Sequence, residues 1–260
     1  MQHLTHGSSF RIIAVGSDRA ACADPVRVVG RVMTPPLLSI VIPALNEAEA
    51  LPALLADLQP WRHSGVEVVL ADGGSTDATL ALAQAAGVGV VHAPRGRALQ
   101  LNAGARLATG QHLLFVHADT LLPPDGVPAV QRALRAGGDQ AWGRFDVAIS
   151  GSHPMLRVIA WFMNHRSRLT GVATGDQALF MTRQVFEAVG GFPEQPLMED
   201  IEISARLGRL ARPVCLRQRV TTSGRRWTQR GVWRTMVLMW QLRWAYWRGA
   251  SPESLARRYR

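Results

Sequence analysis

Four short apolar runs punctuate the first half of the chain: Leu37–Ile42, Val66–Ala71, Val88–His92 and Leu113–Val116. They are rich in Val, Ile and Leu without strict alternation, the pattern of strands buried on both faces of a parallel sheet. Between them the period changes. Leu51, Leu54, Leu55 and Leu58 share one helical face, in a helix predicted to open at an Asn46 cap, with Glu47 and Glu49 in its first turn, and to stop at Gln59-Pro60. Ala78–Ala86 is predicted as a small-residue helix, and Arg97–Ala108 as another closed by Gly110. Strand and helix alternating at this spacing predict an α/β fold with helices on both faces of a mostly parallel sheet.

The second half is less regular. Gly126–Ala136 reads as a helix and Trp142–Ile149 as a strand turning toward a second half-sheet. Ser152–Leu169 starts on good helix-opening residues, Ser152 and Pro154, and is apolar almost all round, so it is buried or faces something apolar. Ala178–Met181 is predicted as a strand, Arg183–Val189 as a helix ending at Gly190-Gly191, and Met198–Leu210 as a helix entered through Glu199-Asp200. Val232–Trp247 is an amphipathic helix carrying Trp233, Trp240, Trp244 and Trp247. No internal repeat or low-complexity linker separates these elements.

Composition narrows the class. A chain of 260 residues with 47% hydrophobic content can bury a full α/β core and is not a disordered one. Residues 205–260 hold 14 Arg and one acid, Glu253, for a net +13; the total of +10 leaves −3 for the rest. A basic carboxyl-terminal quarter implies an anionic partner: a membrane surface, a nucleic acid or a phosphorylated substrate. Cys22 and Cys215 match no metal spacing and read as reduced thiols of a cytosolic protein. No run of 18 apolar residues predicts a spanning helix. Residues 1–32 lack periodicity and read as a tail or an over-extended start before Met33, followed by an α/β domain over 33–230 and a basic, Trp-rich helix over 231–260.

The candidate chemistry stands at strand ends. Pro43-Ala44-Leu45-Asn46-Glu47 ends the first strand, Asp72-Gly73-Gly74-Ser75-Thr76-Asp77 the second, and His117-Ala118-Asp119-Thr120 a later one. In open α/β sheets the carboxyl edge of the strands is where ligands bind, so three weak motifs become one candidate site. Its amides and carboxylates suit a base and ribose, its glycines admit close backbone approach, and a carboxylate there can hold a hard cation against a diphosphate. Asn46 and Asp77 equally suit helix caps. Arg95, Arg97 and Asn102 bring basic and amide groups to a helix start, where anions bind. Of the adjacent pair Glu199 and Asp200, one can act as a general base, or both can simply complement a helix dipole. There is no GxGxxG and no GxxxxGK[ST], which removes the main support for dinucleotide and P-loop readings.

Taken in order, Leu38–Glu47, Asp72–Asp77, Asn102-Ala103-Gly104, Asp119, Gly190-Gly191-Phe192 and Glu199-Asp200 resemble the family-2 glycosyltransferases of GT-A fold over about residues 37–247. Gly96–Ala105 and His-Ala-Asp-Thr look most like the bacterial subgroup "transferase 2, radical-SAM/selenodomain-associated", whose named relatives include carotenoid-acid glycosyltransferases of the diaponeurosporenoate type. The resemblance implies a GT-A, Rossmann-like sheet and a nucleotide-sugar donor pocket lined by Pro43, Asn46 and Glu47. Asp72 would contact the base beside Gly73, Gly74, Ser75 and Asp77, while Arg95, Arg97, Asn102 and Ala118 would complete the pocket. Asp119 would bind Mg²⁺ or Mn²⁺ and Asp200 would be the base, with Glu199 next to it. Asp176 and Gln177 would lie beside sugar and acceptor. Gln218 and Arg225-Arg226-Trp227 imperfectly match the QxxRW element of processive relatives. One departure is His117, where the family has an acid; it is a candidate second metal ligand that adds no negative charge.

These readings converge on inverting transfer of a sugar, from a UDP-sugar or similar donor, to an acceptor hydroxyl or carboxyl that is lipidic. The expected setting is the cytoplasm, with a peripheral seat on the inner face of the cell membrane. A nucleotidyltransferase would share the sheet topology but needs a glycine-rich basic loop where Pro-Ala-Leu-Asn-Glu stands. An Arg-rich nucleic-acid-binding protein would leave the carboxylates unexplained, so no nucleic-acid partner is expected.

Overall fold

In the computed structural model, which describes residues 36–259, strand β1 (Leu38–Ala44) runs through the middle of the sheet. The predicted tail over 1–32, and Cys22 within it, lie outside the described residues. The other strands are β2 (Glu67–Asp72), β3 (Gly89–His92), β4 (His112–Phe115), β5 (Thr120–Leu121), β6 (Trp142–Ser150), β7 (Leu179–Thr182) and β8 (Val214–Ser223), in the sheet order β3-β2-β1-β4-β7-β6-β8-β5. The first four neighbours in that order are parallel, β7 is antiparallel to β4 and β6, and β8 returns parallel to β6.

Alternation along β1 sorts the core into two layers. Ile40 and Ile42 face a layer with helix α1 (Leu51–His63), whose Leu51, Leu54, Leu55 and Leu58 are buried there. The same layer takes in α2 (Thr79–Ala85), α4 (Gly126–Gly137) and α5 (Met155–Thr170). Val41 faces the opposite layer, with α3 (Arg97–Leu107), α6 (Arg183–Ala188) and α7 (Glu199–Gly208). Each fully buried Leu contributes roughly 2 kcal/mol relative to exposure, which fixes the register of the central strands. Gly104 lets α3 lie close on β1, because a Cβ there would run into Val41. A third, smaller cluster joins Met198 to Leu242 of α9 (Val232–Trp247) and Leu255 of α10 (Pro252–Tyr259).

Two expectations need correction. Asn46 does not cap α1, which begins at Leu51; its backbone is left-handed (φ 55°) and its Oδ1 accepts a hydrogen bond from the Thr76 N–H at 2.8 Å. Pro60 does not end α1 either. It lies in the last turn, where Trp61 rests on the core and the Arg62 guanidinium donates to Ala86 O (2.6 Å) and Gly87 O (2.7 Å), outweighing one lost ladder bond. Strand β8 and helices α8 (Arg225–Arg230) and α10 were not anticipated. In β8 the exposed Arg217 and Arg219 break the apolar pattern, and its pairing with β6 shifts register between Phe145 and Asp146.

Candidate functional site

The carboxyl ends of β1 and β4 open onto a cleft of about 530 Å³, closed on its far side by the end of β8, α8 and Tyr259 of α10. Of the residues predicted for the site, Pro43, Glu47, Arg95, Arg97, His117, Ala118, Asp119, Asp176 and Glu199 line it. Asp200 lines a small side cavity with His117, Gly175 and Glu199, so it adjoins the same centre.

The β2 loop buttresses the cleft instead of lining it. Asp72 is buried, and its carboxylate accepts from the N–H groups of Gly74 (2.9 Å) and Ser75 (3.1 Å). Burial alone would raise its pKa, but these hydrogen bonds and nearby His92 hold it below the ordinary carboxylate value. Ser75 Oγ accepts from the Asn46 N–H (2.9 Å) and Asp77 Oδ2 from the Ala48 N–H (3.1 Å), so the loops after β1 and β2 are clamped together. Asp77 also accepts from the Thr79 N–H at 3.0 Å, just ahead of α2, whose N-cap position is Ala78 and not the Asp77 expected from sequence. Asn102 spends its amide on Phe192, donating to its O (2.8 Å) and accepting from its N–H (2.9 Å). Gln177, fully buried, closes a capping box with Thr174 and donates to Ser167 Oγ at 3.1 Å. These side chains shape the walls.

Inside the cleft the charges are paired unevenly. Glu199 is only 2% exposed and holds Arg97 through Nη1 at 3.1 Å. Its pKa is raised by burial and the Asp200 charge, against the pull of Arg97. Glu47 is raised too, by burial and then by Asp119, with Arg225 opposing. Arg225 spans Glu47 (3.4 Å) and Glu49 (3.1 Å), tying α8 to the loop after β1. Asp119 itself has no hydrogen bond or ion pair for its carboxylate among the described residues, while its O accepts from the Ser223 N–H at 3.2 Å.

His117 turns Nδ1 toward Asp176 Oδ1 at 3.4 Å, and its Nε2 lies against Gly175, where a Cβ would stand 2.5 Å away. Burial works against the Asp176 charge, yet His117, Arg97 and Arg226 hold its pKa down at about 2. Asp200 accepts from the Gly175 N–H at Oδ2 (2.9 Å) and from the Ile201 N–H at Oδ1 (2.8 Å), which leaves acceptor capacity on both oxygens. The non-glycine residues with left-handed backbone among the described residues are Asn46, Ala178 and Met198, and all three flank this centre. Such strain persists where the surroundings fix a functional geometry.

Among the described residues no three His, Cys, Asp or Glu side chains converge to enclose a metal ion. The donor set that fits is narrower: Asp119, uncommitted and next to Glu47, suits a hard cation that fills its remaining positions with phosphate and water. Sequence reading missed Gln100, Gln229, Arg230 and Tyr259 as cleft residues. Tyr259 lies between two cations, with Arg226 5.4 Å and Arg230 5.8 Å from its ring centroid. Its only sequence signal is an aromatic at the end of a Pro-Glu helix start.

A family model described as "Glycosyl transferase family 2" matches residues 39–188. A PGL/p-HBAD biosynthesis glycosyltransferase of Mycobacterium tuberculosis is 41% identical over 97 residues, 35% of this chain and 38% of that protein. An uncharacterised glycosyltransferase of Mycobacterium bovis is 32% identical over 139 residues, 51% of this chain and 62% of that one. The chain thus spans 38% and 62% of the length of these curated relatives, less than two thirds of either. Among solved structures, Staphylococcus aureus TarS 1–349 in complex with UDP-GlcNAc aligns with a TM-score of 0.58 at 17% identity, covering 72% of this chain and 58% of that one. The mannosyltransferase PcManGT of Pyrobaculum calidifontis, in complex with GDP-Man and Mn²⁺, aligns at 0.55 and 19% identity, with 73% and 57% covered. These structural likenesses show the fold, which is of the GT-A type.

Proposed function

We propose, from the premise that the chain belongs to glycosyl transferase family 2 and is a glycosyltransferase, that it moves a sugar with inversion from a nucleotide-sugar donor to an acceptor oxygen. One observation carries the reading. A single cleft brings the uncommitted carboxylate of Asp119 and a row of arginines (Arg95, Arg97, Arg225, Arg226, Arg230) next to Asp200, the sites a diphosphate leaving group and an acceptor proton require. The acceptor oxygen attacks the anomeric carbon as the bond from that carbon to the diphosphate oxygen breaks. The electron pair leaves with the diphosphate, and the acceptor proton passes to a free lone pair of Asp200. Glu199 fixes Arg97 and the His117–Asp176 pair shapes the wall between donor and acceptor.

Mg²⁺ or Mn²⁺, held by Asp119 together with the donor phosphates, would supply positive charge to the leaving group. His117 is not assigned as its ligand, because its ring nitrogens face Asp176 and Gly175. Asn46, Asp72–Ser75 and Asp77 serve the donor pocket by holding its walls. The neighbours with bound UDP-GlcNAc and GDP-Man support a UDP- or GDP-sugar donor. The test is hydrolysis and transfer by the full chain across UDP-, GDP- and dTDP-sugars with each metal. Turnover of one donor class is expected, and none with any donor would overturn the reading.

The same reading includes a lipidic acceptor, which the sequence resemblance to carotenoid-acid glycosyltransferases implies, and a membrane seat. No described helix is long and apolar enough to cross a bilayer. Yet Trp233, Val237, Trp240, Trp244 and Trp247, spaced three and four apart on α9, are 48–81% exposed, and α5 exposes Val158, Trp161, Phe162 and Leu169. Arg248 stacks on Trp244 at 4.9 Å from the ring centroid, pairing aromatic and cationic groups as interfacial helices do. Full-length protein is expected to float with anionic vesicles and to release in high salt, each surface Arg adding about 1 kcal/mol. Trp240→Gln/Trp244→Gln should reduce flotation without unfolding, since both side chains are exposed. Absence of flotation by wild type would remove the membrane seat.

A further inference from the structure

Near Asp200 lie two arginines that no carboxylate among the described residues pairs with directly. Arg166 of α5 and Arg243 of α9 make no side-chain hydrogen bond or ion pair among the described residues, and Arg166 Nε and Nη2 and Arg243 Nε are buried without a partner. Four contacts bring their helices to the same place. Asp200 accepts from the Gly175 N–H, and the Gly175–Gln177 turn is bonded to α5 through Gln177 Nε2 and Ser167 Oγ (3.1 Å). On the other side α9 seals the start of α7: Leu242 packs with Met198, and Tyr246 donates to Glu202 Oε2 at 3.2 Å. Burial and the Arg243 charge lower the Arg166 pKa to about 10, and the Asp200 charge acts on both guanidinium groups in the opposite sense.

Two like charges, part-buried and short of hydrogen-bond acceptors, destabilise the empty fold, and such a cost is offset when an anion binds. The other nearby cation, Arg97, is already neutralised by Glu199. A guanidinium offers a planar fork that suits a carboxylate or a phosphate oxygen pair. We infer that Arg166 and Arg243 form an acceptor-anion site, binding a carboxylate or phosphate group of the acceptor so that its nucleophilic oxygen meets Asp200. This deepens the transfer reading above and rests on it. It also selects: a neutral acceptor leaves both guanidinium groups unpaired and binds more weakly.

The experiment separates this site from the donor cleft. Full-length protein is first titrated with UDP and GDP, then, with the tighter nucleotide saturating, with sodium phosphate or sodium acetate against sodium chloride at constant ionic strength. Saturable binding of phosphate or acetate is expected, weakened about tenfold in Arg166→Gln and in Arg243→Gln, in line with loss of a charge-assisted hydrogen bond. Nucleotide affinity should not change. Both variants should melt higher than wild type without added anion, since each removes an unpaired, part-buried cation, and Arg166→Lys should bind the anion better than Arg166→Gln. No saturable anion binding by wild type, or binding as tight as wild type in both Gln variants, overturns the anion site even where nucleotide binds normally. Failure of every nucleotide to bind, with anion binding intact and sensitive to the two arginines, removes the donor reading and keeps the anion site.

Discussion

Asp200→Asn should abolish sugar transfer, by about 10³-fold or more in kcat, while nucleoside diphosphate still binds within a few fold. The size follows from the chemistry: an amide oxygen accepts a hydrogen bond but takes no proton at neutral pH, so the acceptor oxygen must attack unassisted. The selectivity follows from the geometry. Asp200 lines the side cavity shared with Gly175 and Glu199, whereas the arginines suited to a diphosphate line the main cleft. Asn retains an oxygen for the Gly175 N–H, so the turn that carries Asp176 should keep its place. Calorimetric nucleotide binding, single-turnover transfer and a melting curve on one preparation check this. Equal loss of binding and transfer would make Asp200 a structural residue of the α7 start.

Much of the central sheet can be read from the chain, because buried parallel strands and their helices carry unmistakable periods. Ile40, Ile42, Leu70 and Leu114 could hardly be anything but core. Since alternating strands and helices put successive strand ends on one edge, the neighbourhood of Glu47 and Asp119 is also legible. What lies outside local pattern is how each polar group is used. Asn46, Asp72, Asn102 and Gln177 are the residue types that bind ligands, and each is spent on other groups of the protein: Thr76, Gly74, Phe192 and Ser167. No spacing rule distinguishes an amide that reads a ligand from one that pins a loop.

The carboxyl-terminal third was read least well, for a related reason. Strand β8 is half-exposed along much of its length, so Arg217 and Arg219 replace the apolar signal that marks a central strand. Its end and α8 nevertheless supply Ser223, Arg225, Arg226 and Arg230 to the cleft, and α10 brings Tyr259 from the far end of the chain. Arg225 meets Glu47 across 178 positions of sequence, a pairing that only the fold creates.

Asp119→Asn should cost about 10²–10³-fold in transfer, the loss typical of removing one electrostatic stabiliser of developing charge. Asp119 follows β4, its carboxylate has no protein partner among the described residues, and its charge raises the pKa of Glu47. A carboxylate left unpaired beside another carboxylate costs the apo fold free energy, a cost that a bound cation offsets. The substitution should therefore leave the melting temperature of the metal-free protein unchanged or slightly higher. In wild type, EDTA should stop transfer and Mn²⁺ or Mg²⁺ should restore it. In Asp119→Asn, added metal should restore little, and the thermal stabilisation of wild type by metal plus nucleoside diphosphate should shrink. A structural role predicts the reverse, a lower melting temperature with metal-responsive activity in the remaining folded protein. If Asp119→Asn turns over at the wild-type rate in EDTA, the cation has no place in this site, and the arginines of α3 and α8 carry the leaving group alone.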